Sequence, residues 1–478
     1  MFETADLSSA EMIAGLPDAG LVDVMAGAVR MERAVAARRL FAVAELFLRR
    51  EAAREAEERE NWRVDGWESV AAEVASAQGI SQHKAVAQIQ VATTLREELP
   101  EVAEVFAKGL VDYWIVALIV SRTMLIQSED DMAAVDAALA RQVHRWNRLS
   151  KKKIGELIDA LVISVDHLAK RRAETRDEGR HIGIGPAGEG TAEVWGSLRA
   201  ADAAAFDARL DELAQTVCPA DPRTKEQLRA DATGAMAAQQ DRLACHCGRE
   251  DCPAGDPPAS NVVVHVVADA STVSGVASIP GYIRGYGAVA PQMLRHLLRG
   301  AKIQRVVHPG EGKCERGYRP SAALAEFVRC RDLTCRFPGC DAPAEVCDID
   351  HTVPWPYGPT HPSNLKLVCR VHHLLKTFHN EWRDSQQPDG TVRWTAPTGH
   401  SYVTKPHGAL FFPQLARPTG EVLSTEVPAG GTGRGSMMPK RIRTRAEDRQ
   451  ARIDHERALN YKEYLLRPPP PPEEPPPF

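Results

Sequence analysis

Along the first 180 residues apolar side chains recur at three- and four-residue steps. Met25, Val29, Ala36, Leu40, Val43 and Phe47 trace one such stripe through an alanine-rich stretch, the spacing that lines one face of a 3.6-residue helix. The pattern predicts a helical bundle over residues 1–180. Within it, Val70 to Leu95 reads as a helix, a break at Gly79-Ile80-Ser81 and a second helix entered through Ser81 as its N-cap. That is the outline of a helix-turn-helix, whose second helix would offer Gln82, His83, Lys84, Gln88 and Gln90 to a major groove. Two helices joined by a glycine turn are also an ordinary packing unit, and packing is the expected role.

From about His181 the pattern changes. Thr191 to Leu198 and Asn261 to Ala268 have the composition of strands, separated by the amphipathic stretch Ala201 to Val217. This predicts a mixed α/β region over 181–312. Further on, Glu345 to His351 and Leu365 to Val368 are short strands flanking a Pro- and Gly-rich loop from Pro354 to Pro362, and His372 to Phe378 continues as a helix. This unit occupies 313–400. Over 401–478 the chain turns Gly- and Pro-rich beyond Pro406, carries the basic cluster Lys440 to Arg445 and a short helix near Asp454 to Leu466, and closes in a proline tail from Pro468 to Pro477. Such a tail packs no core. It is expected to be disordered, as a solvated end or as the ligand of a proline-binding partner. The fold class is therefore multidomain and mainly α.

The 478 residues exceed what one core serves. A net charge of −5 excludes a uniformly basic nucleic-acid binder, so any phosphate contacts must be local. The run Arg141, His144, Arg145, Arg148, Lys151, Lys152, Lys153 is one such local patch, with solvation as the simpler role. The acidic start and the interruption of Leu40–Leu48 by Glu45 lead to the expectation of a cytoplasmic protein with no membrane span.

Cysteine placement supplies the chemistry. None precedes Cys218; Cys245, Cys247 and Cys252 lie in a loop of Gly, Asp and Pro, and the remaining six fall between Cys314 and Cys369. The first group is either a zinc knuckle, with Cys218 or His246 completing the set, or a surface loop with incidental thiols. In the second group, Cys335 with Cys340 and Cys369 with His372 form two short-spaced pairs from separate elements, the arrangement by which one structural zinc ion clamps two elements together. Between the pairs lie Asp350-His351 and Asn364, and His373 follows the last ligand. The expected unit is β-β-α with zinc at its open end.

The order Asp350-His351, Asn364, His373, framed by those pairs, resembles the HNH nuclease motif in its zinc-containing ββα-metal form. Together with Arg319-Pro320-Ser321, Phe327-Val328-Arg329 and Cys335-Arg336-Phe337-Pro338-Gly339-Cys340, and with the alanine-rich helical region, the chain resembles actinobacterial 13E12-repeat proteins over most of residues 1–400. That resemblance implies a DNA endonuclease. His351 would be the general base. Asp350 and His373 would hold a divalent cation, magnesium or manganese, and Asn364 would lock the loop. Lys376, one turn beyond His373, would reach a phosphate or remain solvated. Because the second pair is Cys-x2-His, His372 and His373 can exchange roles. The competing reading is a non-catalytic DNA-binding or mobile-element accessory protein that keeps only the structural zinc. Oligomeric state is left open.

Overall fold

The computed structural model describes residues 10–52, 60–170, 180–188, 190–254, 264–298, 301–312, 314–379, 381–421 and 437–466. The proline tail lies outside the described residues, as do residues 261–263 of the expected strand Asn261 to Ala268.

The helical region begins with α1 (Ala10–Ala14) and the long α2 (Asp18–Ala52), followed by α3 (Gly66–Gln78), α4 (Gln82–Glu97), α5 (Pro100–Ala107), α6 (Tyr113–Thr123), α7 (Glu129–Ala140) and α8 (Lys151–Val165). Its core is one cluster of Leu40, Ile89, Leu95, Phe106, Ile115, Val135, Ile158 and their neighbours. The predicted break is present: Gly79 takes the left-handed conformation at φ 63°, and Ser81 Oγ accepts the backbone N–H of Lys84. Only the C-terminal half of the stripe on α2 is covered. Leu40, Val43 and Phe47 are buried, whereas Met25 and Val29 stay exposed because the neighbouring helices pack beside the later turns.

The middle region holds the antiparallel hairpin β1 (His181–Gly188) and β2 (Thr191–Ser197), then α9 (Ala200–Ala214) and α10 (Lys225–Ala237). A small sheet follows, from β3 (Val266–Val267), β4 (Gly281–Ile283) and β5 (Gly287–Val289), with α11 (Ala270–Val273) and α12 (Pro291–Leu297) around it. Of the expected strand Asn261 to Ala268, Val266–Val267 is extended and paired. The sheet leans on the C-terminal unit through Tyr282 and through Arg284, which pairs with Glu326 at 3.1 Å and Glu345 at 2.9 Å.

That unit comprises α13 (Ala322–Asp332), the hairpin β6 (Cys347–His351) and β7 (Leu365–Cys369), α14 (Arg370–Phe378), and the meander β8 (Arg383–Gln386), β9 (Val392–Thr395) and β10 (Ser401–Thr404). The strand β10 lies past the expected boundary at 400, since its pairing with β9 closes the meander. Arg331 and Arg336 are fully buried around the carboxylate of Asp332, at 2.8 and 3.1 Å, and Asp332 also accepts the N–H of Leu367. Burial alone would raise this carboxyl, but the two guanidinium groups hold it below its ordinary range.

The C-terminal helix α15 (Arg445–Leu466) starts earlier than the short helix expected near Asp454 to Leu466. It packs Ile453 into the helical core, and Asn460 donates to the carbonyls of Leu168 and Lys170. The preceding basic cluster is partly spent on this docking: Arg441 and Arg445 both pair with Asp65 at the start of α3, and Arg445 also pairs with Glu68.

Candidate metal centre

The antiparallel register of β6 and β7 sets Cys347 opposite Cys369 and Asp350 opposite Lys366. At the open end of this hairpin the loop after α13 brings up Cys335 and Cys340, and the first turn of α14 brings up His372. The donor atoms of Cys335, Cys340, Cys369 and His372 lie within 4.8 Å of one another. His372 presents Nδ1, 3.2 Å from Cys369 Sγ and 3.5 Å from Cys335 Sγ. Its ring is fixed by face-to-face stacking on Phe337, with centroids 3.9 Å apart. Three sulfurs and one imidazole nitrogen converging in a largely buried pocket suit zinc, whose tetrahedral bonds of about 2.0–2.3 Å would separate the donors by distances of this order. Cys347 stays outside the set and donates to the carbonyl of Ala342, while Cys330 faces Glu326 and Cys314 is exposed.

His372 joins the thiols and His373 joins the carboxylates. From the next position on α14, His373 places Nδ1 2.8 Å from Asp348 Oδ2 and Nε2 3.6 Å from Asp350 Oδ1. Asp348 was not singled out from sequence, although the period-two alternation of a strand puts it on the face of Asp350. The other oxygen of Asp350 is held by two ammonium groups, Lys376 at 2.6 Å and Lys366 at 2.9 Å. Both lysines also pair with Asp384 on β8, at 3.3 and 2.6 Å. Burial by itself would raise the Asp350 carboxyl, yet the two ammonium groups hold it well below the usual range. Lys366 is completely buried. Burial pushes its ammonium toward deprotonation, and Asp350 and Asp384 reverse the direction. Lys376 is therefore no helix-surface lysine. It is 11% exposed and donates also to the carbonyls of His351 and Thr352, and burial followed by the repulsion of Lys366 lowers its pKa.

His351 ends β6 as a buried side chain. Its Nε2 lies 2.9 Å from Thr360 Oγ1, and Thr360 donates its single hydroxyl proton to the carbonyl of Gly317 at 2.6 Å. The hydroxyl therefore accepts from His351, which fixes the proton on Nε2 and leaves Nδ1 as the basic nitrogen of the neutral ring. Burial lowers the imidazole pKa from 6.5. Tyr318 stacks on the ring at 5.3 Å.

Asn364 lies beneath the loop. Its Nδ2 donates to the carbonyls of Val353 at 3.0 Å and Pro359 at 2.9 Å, and its Oδ1 accepts the N–H of Val353 at 2.8 Å. One side chain thus cinches both ends of the segment that follows His351.

The other candidate contacts are placed differently. On α4, Gln82 bonds to Glu68, Gln88 to Gln78 and Gln90 to Thr94, while His83 and Lys84 are exposed. The turn Gly79–Ser81 faces the Cys335–Cys340 loop across a cavity of about 600 Å3, and Gly339 approaches so near that a Cβ there would meet the carbonyl of Ile80 at 2.5 Å. This turn therefore packs against the thiol-bearing loop. Arg141, His144, Arg145, Arg148, Lys151, Lys152 and Lys153 are all exposed. Among the described residues no helix is long and apolar enough to cross a membrane.

The fold and site thus define a mainly helical protein whose C-terminal hairpin and helix are joined at a Cys3His cluster compatible with zinc. The family model described as "Domain of unknown function (DUF222)" matches residues 27–332, and the chain belongs to that family. The match ends at the last residue of α13, ahead of Cys335. Two proteins of Mycobacterium tuberculosis strain H37Rv are similar to nearly the whole chain. "Uncharacterized protein Rv2100" is 45% identical over 93% of this chain and 88% of the relative, and "Uncharacterized protein Rv3776" is 45% identical over 96% and 93%. No solved structure matches the chain.

Proposed function

We propose that this chain is an HNH endonuclease of the 13E12-repeat kind that hydrolyses DNA phosphodiester bonds with the help of a divalent cation. The observation that carries the reading is the approach of His373 Nε2 to Asp350 Oδ1, 3.6 Å, at the end of the strand that bears His351. Two donors at this separation suit neighbouring positions around one small cation. Asp350 is already ionised, and His373 is oriented by Asp348 through its other nitrogen, as metal-bound imidazoles commonly are. When bound there, magnesium or manganese would stabilise charge developing on the phosphate oxygens.

The protein's own groups have separable roles. His351, held through Nε2 by Thr360, takes a proton from water at Nδ1. Asn364 keeps the following loop in place. Lys366 and Lys376 anchor one oxygen of Asp350 and leave the other toward His373. Cys335, Cys340, Cys369 and His372 supply a closed structural zinc set with no open position for chemistry. DNA is the substrate by resemblance, contacted through local basic groups because the overall charge is negative.

One observation favours the non-catalytic accessory reading. The two ammonium groups already neutralise Asp350, as would suffice in a module that uses zinc only for folding. Nicking of supercoiled plasmid by the full chain with magnesium or manganese, beside His351→Ala, separates the two. The enzyme reading expects cation-dependent nicking by the parent and its loss in the variant with zinc content unchanged. No cutting by the parent, or equal cutting by both, would count against it.

A further inference from the structure

A second group of cysteines lies far along the chain from the Cys3His cluster, in the α9–α10 region. Cys218 follows α9, and Cys245, Cys247 and Cys252 lie in the loop after α10. Their four sulfurs lie within 4.8 Å of one another, with Cys218 and Cys245 3.5 Å apart. Zinc–sulfur bonds of about 2.3 Å in a tetrahedron place sulfurs about 3.8 Å from one another, so the grouping is of the right size. None of the four is in a disulfide.

Two further features point to a ligand. The loops are locked before any metal is considered: the nearly buried Asp221 accepts the N–H of His246 at 2.8 Å and pairs with Arg223, and Arg223 donates to the carbonyl of Ala244 at 2.7 Å. A clamp between the two cysteine-bearing segments thus fixes the spacing of the sulfurs. The apolar core shared by α9 and α10 is small, essentially Leu210, Leu213, Ala232, Ala235 and Leu243. A core of that size does not ordinarily hold a helix pair and two long loops, and small units of this kind are stapled by metal or disulfide.

We propose that Cys218, Cys245, Cys247 and Cys252 bind a second zinc ion as four thiolates, in a closed structural site that staples the α9–α10 unit. Each thiol releases its proton to solvent on binding. Four protein ligands leave no position for water or substrate, so the ion takes no part in hydrolysis. The site stands whether or not the chain cuts DNA.

The test is zinc content of the full chain, purified without added chelator, measured after denaturation with a colorimetric chelator. Two zinc ions per chain are expected, falling to one in Cys247→Ser/Cys252→Ser and to one in Cys335→Ser/Cys369→Ser. Cys252→His, which preserves four donors, should keep two. A single zinc in the parent chain that survives in Cys247→Ser/Cys252→Ser overturns the proposal, as does retention of both ions by that variant or a Cys218–Cys245 disulfide in the intact mass. If the serine variants prove insoluble, the parent count and the protection of these four cysteines from alkylation until zinc is stripped decide the matter.

Discussion

His351 Nε2 lies 2.9 Å from Thr360 Oγ1, and because Thr360 spends its hydroxyl proton on Gly317, the imidazole is the donor in that contact. The basic nitrogen of the proposed catalytic histidine is thereby chosen by a buried threonine nine residues further on. Thr360→Val keeps the volume and removes the acceptor. Nicking rate should fall about tenfold to a hundredfold, the worth of one buried polar contact, with zinc content and circular dichroism unchanged. Unchanged nicking would mean that Thr360 does not orient the base.

The pH dependence follows from the same burial. The His351 pKa is lowered from 6.5, first by desolvation, with Lys376 and Lys366 adding to it against Asp350. A base acts in its neutral form, so the lowered value extends activity to more acid solution. A bound cation beside Asp350 would lower it further. The acid limb of kcat/KM should have its midpoint below 6.5, with a flat profile through neutrality. A midpoint above 6.5 would assign the limb to another group.

Asn364 ties Val353 and Pro359 through three hydrogen bonds. Asn364→Ala leaves buried backbone groups without these partners and should cost about 2–4 kcal/mol of stability. It should also abolish nicking, because the segment after His351 loses its anchor. Denaturant unfolding and the nicking assay check the two effects separately.

Asp332 is the shared counter-ion of Arg331 and Arg336, all three buried. Asp332→Asn strands two guanidinium groups and should destabilise the C-terminal unit by about 3–5 kcal/mol. In the parent chain the folded-state carboxyl is lowered below 3.8. Its contribution is therefore fully present above the ordinary carboxylate range and is lost as pH falls through the folded value. Acid unfolding of the parent, absent the corresponding step in the variant, is the measurement.

Gly339 sits at φ 73°, and a Cβ there would meet the Ile80 carbonyl at 2.5 Å. Gly339→Ala should cost about 1–3 kcal/mol through backbone strain and the clash. It should also loosen the helical region from the Cys335–Cys340 loop, seen as faster hydrogen exchange around Ile80.

Features carried by short-range pattern were legible in the sequence. The Gly79–Ser81 break, the two short-spaced Cys/His pairs of the Cys3His cluster and the β6–β7 hairpin each depend on residues close together along the chain. Features made by long-range pairing were not. Lys366 looks like a solvent-facing strand residue until the hairpin register sets it opposite Asp350 and β8 delivers Asp384. Arg331 and Arg336 carry no mark of burial in composition. Arg441 and Arg445 belong to a basic run that names no partner by itself, whereas Asp65, far away in sequence, pairs with both. The sequence leaves Cys218 and His246 as alternative partners of Cys245, Cys247 and Cys252, and it is the side-by-side packing of α9 and α10 that brings Cys218 to the other three.

The proposed chemistry requires Asp350 and His373 to hold a cation at the end of the strand that bears His351. Titration of manganese into the zinc-loaded chain, followed by the electron paramagnetic resonance of the free ion, reads this directly. The parent chain should bind one manganese ion that Asp350→Asn and His373→Ala each fail to bind, with His351→Ala binding as the parent does. Absence of binding in the parent, or unchanged binding in Asp350→Asn and His373→Ala, would contradict it.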